Sequence, residues 1–398
     1  MIYHFGQCEL DDLRHELLRD GCPVHLEPQV YELLACLIRA EGELVSKDTL
    51  IERVWNNLNV SDATISARIN AARTAVGDNG KAQTIIRTVP KRGFRMAVEV
   101  KQQGTSNPDK PNLPFSAPQI RVVSSTDGEP IAHSHYGSGP PLLRVGHWLS
   151  HLELDRGCPV WGPFLGHLEQ SFTVYRYDQR GTGLSTRSLM NTSLDDFVED
   201  LRAVADANGL GRFPMFAASQ AVPVAIRFAA RFPERISRLV LYGGYAQGRI
   251  HRAKSVGDMD EPTILNLIRA GWGQPESAFP KAFSALFIPD ATPEQTASFV
   301  RIQGESISPD NAALLRQAID RFEVMDDLPN VKAPTLVIHA RSDAIHPIEQ
   351  GRLLAAGIDD AQFMMLDSRN HVPLPQDPAW GHLMSAVNEF CTPSSAGQ

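Results

Sequence analysis

The chain has 398 residues, 42% hydrophobic and 21% charged, with a formal net charge of −8. That length accommodates two or three domains with real cores, and the acidic balance excludes non-specific nucleic-acid binding by the chain as a whole. No run approaches the roughly 18 apolar residues of a membrane span, and the start, MIYHFGQCEL, lacks the basic and apolar regions of a signal peptide, so a cytoplasmic protein with no membrane partner is expected.

Short strand-like pieces are predicted around Tyr3–Phe5 and Val24–Leu26. Five cysteines occur (Cys8, Cys22, Cys36, Cys158, Cys391), with no C-x-x-C spacing, and read as reduced thiols; an N-terminal hairpin could bring Cys8 and Cys22 face to face. In PQVYELLACLIRA, Val30, Leu33, Leu34, Leu37 and Ile38 fall on one helical stripe. Ser46 is placed to cap a helix over SKDTLIERVW, and Ser61 or Asp62 to cap ATISARINAARTAV. The latter helix buries Ile65, Ile69, Ala72 and Val76, presents Thr64, Arg68, Asn70 and Arg73, and ends at Gly77. TIIRTVPKRGFRM alternates around a Pro-Lys-Arg-Gly turn and predicts a β-hairpin. Residues 60–98 hold seven Lys or Arg against two Asp, a surplus of five on an acidic protein. Such a stripe is either a solvated face or the footprint of a phosphate contact.

Helix, turn, helix and basic hairpin make a winged helix-turn-helix, in which the second helix can enter the major groove. LVSKDTLIERVW, SDATISARINAARTAVGD and IIRTVPKRGFRM resemble the OmpR/PhoB-type DNA-binding domain over nearly its full length. The resemblance implies double-stranded DNA as partner, with contacts from Thr64, Arg68, Asn70 and Arg73 on the helix and Arg87, Thr88, Lys91 and Arg92 on the wing. Ala63 and Ala71 stand where relatives often carry arginine, which implies weaker or different base reading. The usual partner of this domain, a phosphorylatable receiver, has no counterpart in the remaining sequence.

Residues 101–118, KQQGTSNPDKPNLPFSAP, hold four prolines and no apolar period, and read as a linker between a module over 1–100 and one over 119–398. The second module carries strand-like runs at IRVVSS, PIAHSHYG, PLLRVGH, FTVYRYD, PMFAAS, RLVLYGG, TLVIHAR and QFMMLDS, with helical stretches between the later ones. A leading hairpin followed by alternating strand and helix predicts a mostly parallel α/β sheet, with its ligand site at the carboxyl ends of the strands.

Three residues sit at such ends. Ser219 lies between PMFAA and a helix, flanked by Ala217 and Ala221 where small residues permit a sharp turn. A serine at a helix start is by itself equally an N-cap. Asp343 follows TLVIHARS, His371 follows QFMMLDSRN, and the order Ser, Asp, His fits nucleophile, orienting acid and base. RYDQRGTGLS, SQAVPVAIRFAARFPERISRLVLYGGYA, TLVIHARSDAIHP and LDSRNHVPL resemble an α/β-hydrolase subgroup often fused to regulatory or cyclase modules. The resemblance implies oxyanion N–H groups from Trp148 and Gln220, with His147 lining the pocket, and a helical cap over about 246–328. Trp272, Phe279, Phe283, Leu286 and Phe287 in that cap suggest an apolar or aromatic ligand, or merely pack the cap. Arg180 reads as a structural ion pair and Asp178 as a loop anchor. His133, His135, His147 and His151 show no converging, carboxylate-supported arrangement, so neither metal nor cofactor is expected.

Together these features predict a winged-helix domain followed by a capped α/β-hydrolase domain, acting as a transcriptional regulator. The hydrolase part would sense a small ester, lactone or related acyl ligand, either without chemistry or with slow hydrolysis of it. The alternative is an active serine hydrolase with a DNA anchor. A homodimer on tandem half-sites is expected, with RNA polymerase as a further partner.

Overall fold

Four short segments open the chain as strands: β1 (Ile2–Phe5), β2 (Cys8–Asp11), β3 (Glu16–Arg19) and β4 (Cys22–Val24). Tyr3, Phe5, Cys8, Leu10 and Leu17 turn inward with the period of two that a half-buried sheet demands. These strands belong to the first of two units into which the chain divides, Met1–Phe115 and Ser116–Gln398. The computed structural model describes residues 2–11, 16–19, 21–24, 26–40, 42–55, 60–90, 92–98, 100–103, 119–187, 192–252, 260–274 and 277–392.

Helix α1 (Pro28–Arg39) places proline in its first turn, where no N–H is required. Its stripe, Val30, Leu33, Leu34, Leu37 and Ile38, is fully buried. Ser46 accepts from the Thr49 N–H at 3.0 Å ahead of α2 (Lys47–Trp55). Ser61, rather than Asp62, caps α3 (Asp62–Ala75), accepting from the Thr64 N–H at 3.2 Å. The hairpin pairs β5 (Ile86–Val89) with β6 (Gly93–Met96). Gly93 has φ of 141°, and a Cβ there would lie 2.0 Å from the Val45 carbonyl oxygen. Only glycine lets the chain close the bridge in which Val45 and Phe94 exchange N–H···O bonds of 2.8 and 2.9 Å. Residues 101–103, expected to begin the linker, instead form β7 (Lys101–Gln103) on the free edge of β1. The extended backbone finds hydrogen-bond partners there, giving an antiparallel sheet ordered β4-β3-β2-β1-β7. The rest of the expected linker, 104–118, lies outside the described residues. Cys8 and Cys22 do not face each other: both are opposite Arg19 in successive strand pairs, and neither forms a disulfide.

In the second unit the strand-like runs become β8 (Arg121–Ser124), β9 (Pro130–Tyr136), β10 (Pro141–Arg144), β11 (Thr173–Tyr177), β12 (Phe213–Ala218), β13 (Ile236–Tyr242), β14 (Thr335–Ala340) and β15 (Gln362–Leu366). The sheet runs β15-β14-β13-β12-β10-β11-β9-β8. β9 pairs antiparallel with β8 and β11, and every other pair is parallel. Helices α4 (Trp161–Leu168), α5 (Leu194–Ala207) and α6 (Ala221–Arg231) alternate with these strands. Four more, α7 (Glu261–Gly271), α8 (Ala278–Phe287), α9 (Pro293–Ser306) and α10 (Pro309–Ile319), form the insertion between β13 and β14, within the span expected for a cap. Asp260, Ser277, Thr292 and Ser308 cap them in turn, each accepting from a first-turn N–H. Helices α11 (Ile348–Gly357) and α12 (Trp380–Cys391) complete the unit; α12 packs on α4, and α5 on α6. Because β10 lies between β11 and β12, the chain leaves it in one direction and returns in the other. This switch opens a crevice beyond the carboxyl ends of β10 and β12. Among the described residues no helix is long and apolar enough to cross a membrane.

Candidate functional site

The crevice is bordered by the turn from β12 into α6, where Ser219 has φ of 55°. Left-handed backbone at a non-glycine residue persists only where neighbours hold it. Here the Ser219 N–H donates to the Tyr242 carbonyl at 2.9 Å, and its own carbonyl accepts from Val222 at 3.0 Å. The flanking Ala217 and Ala221 are fully buried, small enough for strand and helix to meet at this angle.

Asp343 and His371 arrive from the ends of β14 and β15. His371 Nδ1 lies 2.7 Å from Asp343 Oδ2. Asp343 Oδ1 accepts from the backbone N–H groups of Ile345 and His346 at 2.8 and 3.1 Å. Burial pushes this carboxyl up, yet the adjoining His371 and the N–H donor of His346 hold it below the ordinary range. Gly243, with φ of 54°, passes beneath the pair; a Cβ there would stand 3.4 Å from the imidazole. His371 Nε2 is buried, has no hydrogen-bond partner among the described residues, and belongs to a ring that lines the same hollow as Ser219.

Trp148 sits on the loop after β10. The loop is anchored by the buried ion pair of Arg176 with Asp155 at 3.1 Å. It is also held by the His151 N–H on Asp155 at 2.9 Å and the Leu152 N–H on Asp178 at 3.0 Å. Burial pushes the Asp178 carboxyl up to about 7 against the pull of the Leu184 and Leu152 amides. Arg180 pairs with Asp200 and Asp127 at 2.6 and 2.8 Å, so it is structural as expected. Among the described residues, no backbone carbonyl accepts from the N–H of Trp148 or of Gln220, and both residues border the hollow beside Ser219. His147 lines the same region with Arg144 Nη2 2.8 Å from its Nε2. Burial, then Arg144, depresses His147 well below the ordinary histidine range, which keeps it neutral.

Two adjoining hollows share Trp148, Ser219 and Phe287. Both are partly open. One is walled by Leu149, Trp161, His371 and Val372. The other is walled by Tyr245, Arg252, Arg316 and His346. Of Trp272, Phe279, Phe283, Leu286 and Phe287, it is Phe287 that lines them, joined by Ile319 of α10. Trp272 and Phe283 pack against Trp148 at centroid distances of 5.2 and 5.9 Å, and Leu286 is exposed.

In the first unit Arg68 donates to Gln29 Oε1 at 3.2 Å and pairs with Glu27, while Asn70 is exposed and Thr64 half-buried. Arg73 does not join that open face, correcting the expectation. It is 5% exposed and donates to the Ile86 carbonyl at 3.1 and 3.0 Å and to Thr88 Oγ1 at 2.8 Å. It lies four residues beyond Ile69, on the buried stripe, where its guanidinium ties α3 to the wing. Thr88 is thereby drawn into the interior network, whereas Arg87, Arg92 and Arg95 are exposed. Lys91 lies outside the described residues. Asp78 holds the wing root, accepting from the amides of Asn79, Thr84, Ile85 and Ile86 at 2.7 to 3.0 Å.

Residues 157–378 match the model of the alpha/beta hydrolase fold. The match covers more than half of the chain. This protein belongs to the alpha/beta hydrolase fold family. Residues 21–96 match the model described as transcriptional regulatory protein, C terminal, and form an OmpR/PhoB-type DNA-binding domain on the same chain. A putative carbamate hydrolase, RutD, of Variovorax paradoxus is 28% identical over 224 residues, 55% of this chain and 82% of that protein. The transcriptional activator CadC of Escherichia coli is 30% identical over 114 residues, 28% of this chain and 22% of that protein. An enol-lactonase from Burkholderia xenovorans shares the fold with a TM-score of 0.52 at 18% identity, over 68% of this chain and 99% of that one.

The hydrolase site also contains residues that the spacing of motifs did not reveal. His339 Nε2 lies 3.8 Å from Asp343 Oδ2 and 3.0 Å from the His346 carbonyl, and the His346 and His371 rings meet at 5.3 Å. Arg249, Arg252 and Arg316 come from the insertion and its entry. The signal for Arg316 was its place on a helix stripe otherwise made of Ala312, Ala313, Leu315 and Ile319. His133, His135 and His151 do not converge with His147. Among the described residues no group of His, Cys, Asp or Glu is placed to hold a metal ion.

Proposed function

We propose that this protein is a DNA-binding regulator whose hydrolase unit takes a small ester, lactone or related acyl compound as its signal and cleaves it. The observation carrying this reading is the Asp343–His371 pair, its Nε2 unpartnered, beside a strained Ser219 on a chain that also holds a DNA reader. In this reading Ser219 Oγ bonds to the carbonyl carbon as its proton passes to His371 Nε2. The carbonyl oxygen gains charge facing the N–H groups of Trp148 and Gln220. The C–O bond then breaks, His371 returns the proton to the departing oxygen, and water repeats the sequence on the acyl-serine. Asp343 keeps the proton on Nδ1 and stabilises the imidazolium. Thr64, Arg68 and Asn70, with Arg87, Lys91 and Arg92 of the wing, are assigned to DNA. Arg73 and Thr88 are assigned to holding the wing. A homodimer would engage tandem half-sites, with RNA polymerase as a further partner.

A ligand can switch such a protein only by binding two conformations with unequal affinity. The reading therefore expects that an acyl ligand changes operator affinity or oligomeric state. Intact-mass measurement after fluorophosphonate treatment tests the chemistry, with Ser219→Ala as control. An adduct on the wild type alone supports hydrolysis. Absence of an adduct from protein that still binds DNA leaves a pocket used for sensing only. The reading of a working hydrolase with a DNA anchor is favoured by the likeness to a protein named as a carbamate hydrolase. It expects turnover without any effect of substrate on DNA affinity.

A further inference from the structure

The second hollow beside Ser219 is cationic. Arg316 is 9% exposed, and its Nε donates to Asp320 at 2.9 Å. Its Nη2 is buried with no hydrogen-bond partner among the described residues. Arg252 donates through Nε to the Gln247 carbonyl at 2.6 Å, and its guanidinium lies over the Tyr245 ring, 5.1 Å from the centroid. Arg249 stands at the exposed rim. Among the described residues lining this wall, Asp320 is the carboxylate that faces the guanidinium groups of Arg252 and Arg316. His346 adds no positive charge, because burial and then the charge of His371 depress it well below the ordinary range. A buried guanidinium with an unmade bond is costly unless a partner arrives, and a guanidinium fork is suited to a carboxylate.

We infer that this hollow is the acyl subsite, and that it takes an acyl group ending in a carboxylate, which Arg316 Nη2 binds with Arg252 alongside. The inference rests on the reading above that Ser219 meets an acyl carbonyl. Its direction follows from where the base stands. His371 lines the other, apolar hollow, and the leaving oxygen must receive its proton from His371. The leaving group therefore departs along Trp161, Leu149 and Val372, while the acyl chain points toward Arg316. The substrate class is a half-ester of a dicarboxylic acid with an apolar alcohol, or a lactone bearing a carboxylate. This goes beyond the expectation, drawn from the cap residues, of an apolar or aromatic ligand or of side chains that merely pack the cap.

The test compares 4-nitrophenyl hydrogen glutarate with its neutral counterpart, 4-nitrophenyl pentanoate, on the full chain. The inference expects the wild type to prefer the half-ester in kcat/KM by about tenfold or more, equivalent to about 1.4 kcal/mol. The preference should collapse in Arg316→Gln and persist in part in Arg316→Lys. Arg316→Gln/Asp320→Asn removes both members of the buried pair and guards against misfolding, which a melting curve reports. A wild type that treats the two esters alike, or a preference that survives in the double variant, overturns the inference. Binding of monomethyl glutarate to Ser219→Ala, read by calorimetry against methyl pentanoate, needs no turnover. Selective binding there with inert wild type would sink the hydrolase reading and keep the anionic subsite; equal or absent binding of both would sink the subsite.

Discussion

The backbone carbonyl of Phe287 accepts the His371 N–H at 2.8 Å, and the two rings meet edge-on at a centroid distance of 5.3 Å. Phe287 is the last residue of α8, so the insertion that roofs the crevice also sets the height of the base. Its carbonyl accepts from Val372 as well, at 3.2 Å. Movement of α8 therefore cannot leave the imidazole where it is.

Phe287→Ala keeps both backbone bonds and removes the ring. The side chain is 3% exposed, so loss of burial and the remaining cavity should cost about 3–5 kcal/mol. Labelling of Ser219 by fluorophosphonate should slow as well, because the imidazole loses its edge contact. Phe287→Leu should recover most of both. Melting curves and adduct kinetics on the pair of variants check this; full labelling speed in Phe287→Ala would detach the cap from the base.

Asp343→Asn preserves size but breaks the logic of the site. With its carbonyl oxygen kept on the Ile345 and His346 N–H groups, the amide donates to His371 Nδ1, which holds the proton on Nε2 and removes the base; turned the other way, the amide faces those two N–H groups donor to donor. By the behaviour of such triads, nucleophile reactivity should fall by about 10⁴. The rate constant for adduct formation reads it, and a loss under about tenfold would leave Asp343 as a scaffold for its loop.

Asp78 gives the first unit an acid limit. Burial raises this carboxyl, but the amides of Ile86, Ile85, Asn79 and Thr84 outweigh it and draw the value down to about 2 from 3.8. A depressed carboxylate contributes stability above its unfolded value that is lost as pH falls through the folded one. The contribution, about 2 kcal/mol, should be present at pH 5 and disappear between about pH 4 and pH 2. Hydrogen exchange of the Ile85 and Ile86 amides in the full chain, corrected for intrinsic rates, should show protection decaying over that window. Asp78→Asn should flatten the decay, having lost the protection already at pH 5.

Much of this architecture is written in residue periods and chain order. Ser219, Asp343 and His371 each follow an apolar strand, and that regularity survives without any knowledge of what packs where. Arg73 shows the limit: a charged side chain reads as exposed by default, yet its spacing from Ile69 placed it on the buried stripe, and spacing prevailed because the Ile86 carbonyl needed a donor. β7 was hidden by low apolar content, since Lys101–Gln103 carry no apolar side chain and enter the sheet by backbone pairing with β1. The cationic hollow was invisible for another reason. Arg249, Arg252 and Arg316 are joined only when the insertion folds over β12 and β13, and no linear pattern encodes that approach.

The two arginines of the reader's second helix and wing should separate cleanly. Arg73→Ala leaves the Ile86 carbonyl and Thr88 hydroxyl without their donor inside the core, which should cost about 1–3 kcal/mol and lower DNA affinity only through unfolding. Arg87→Ala removes an exposed cation from β5. Its melting curve should match the wild type, while DNA affinity falls across sequences and the slope of log affinity against log salt shrinks by about one. The contrast discriminates between the alternatives for the basic stripe. If Arg87→Ala leaves both affinity and salt slope unchanged, the wing is a solvated face and DNA recognition rests on Thr64, Arg68 and Asn70. If Arg73→Ala instead loses affinity with its melting curve intact, the guanidinium must leave the Ile86 carbonyl when DNA arrives, and the wing moves on binding.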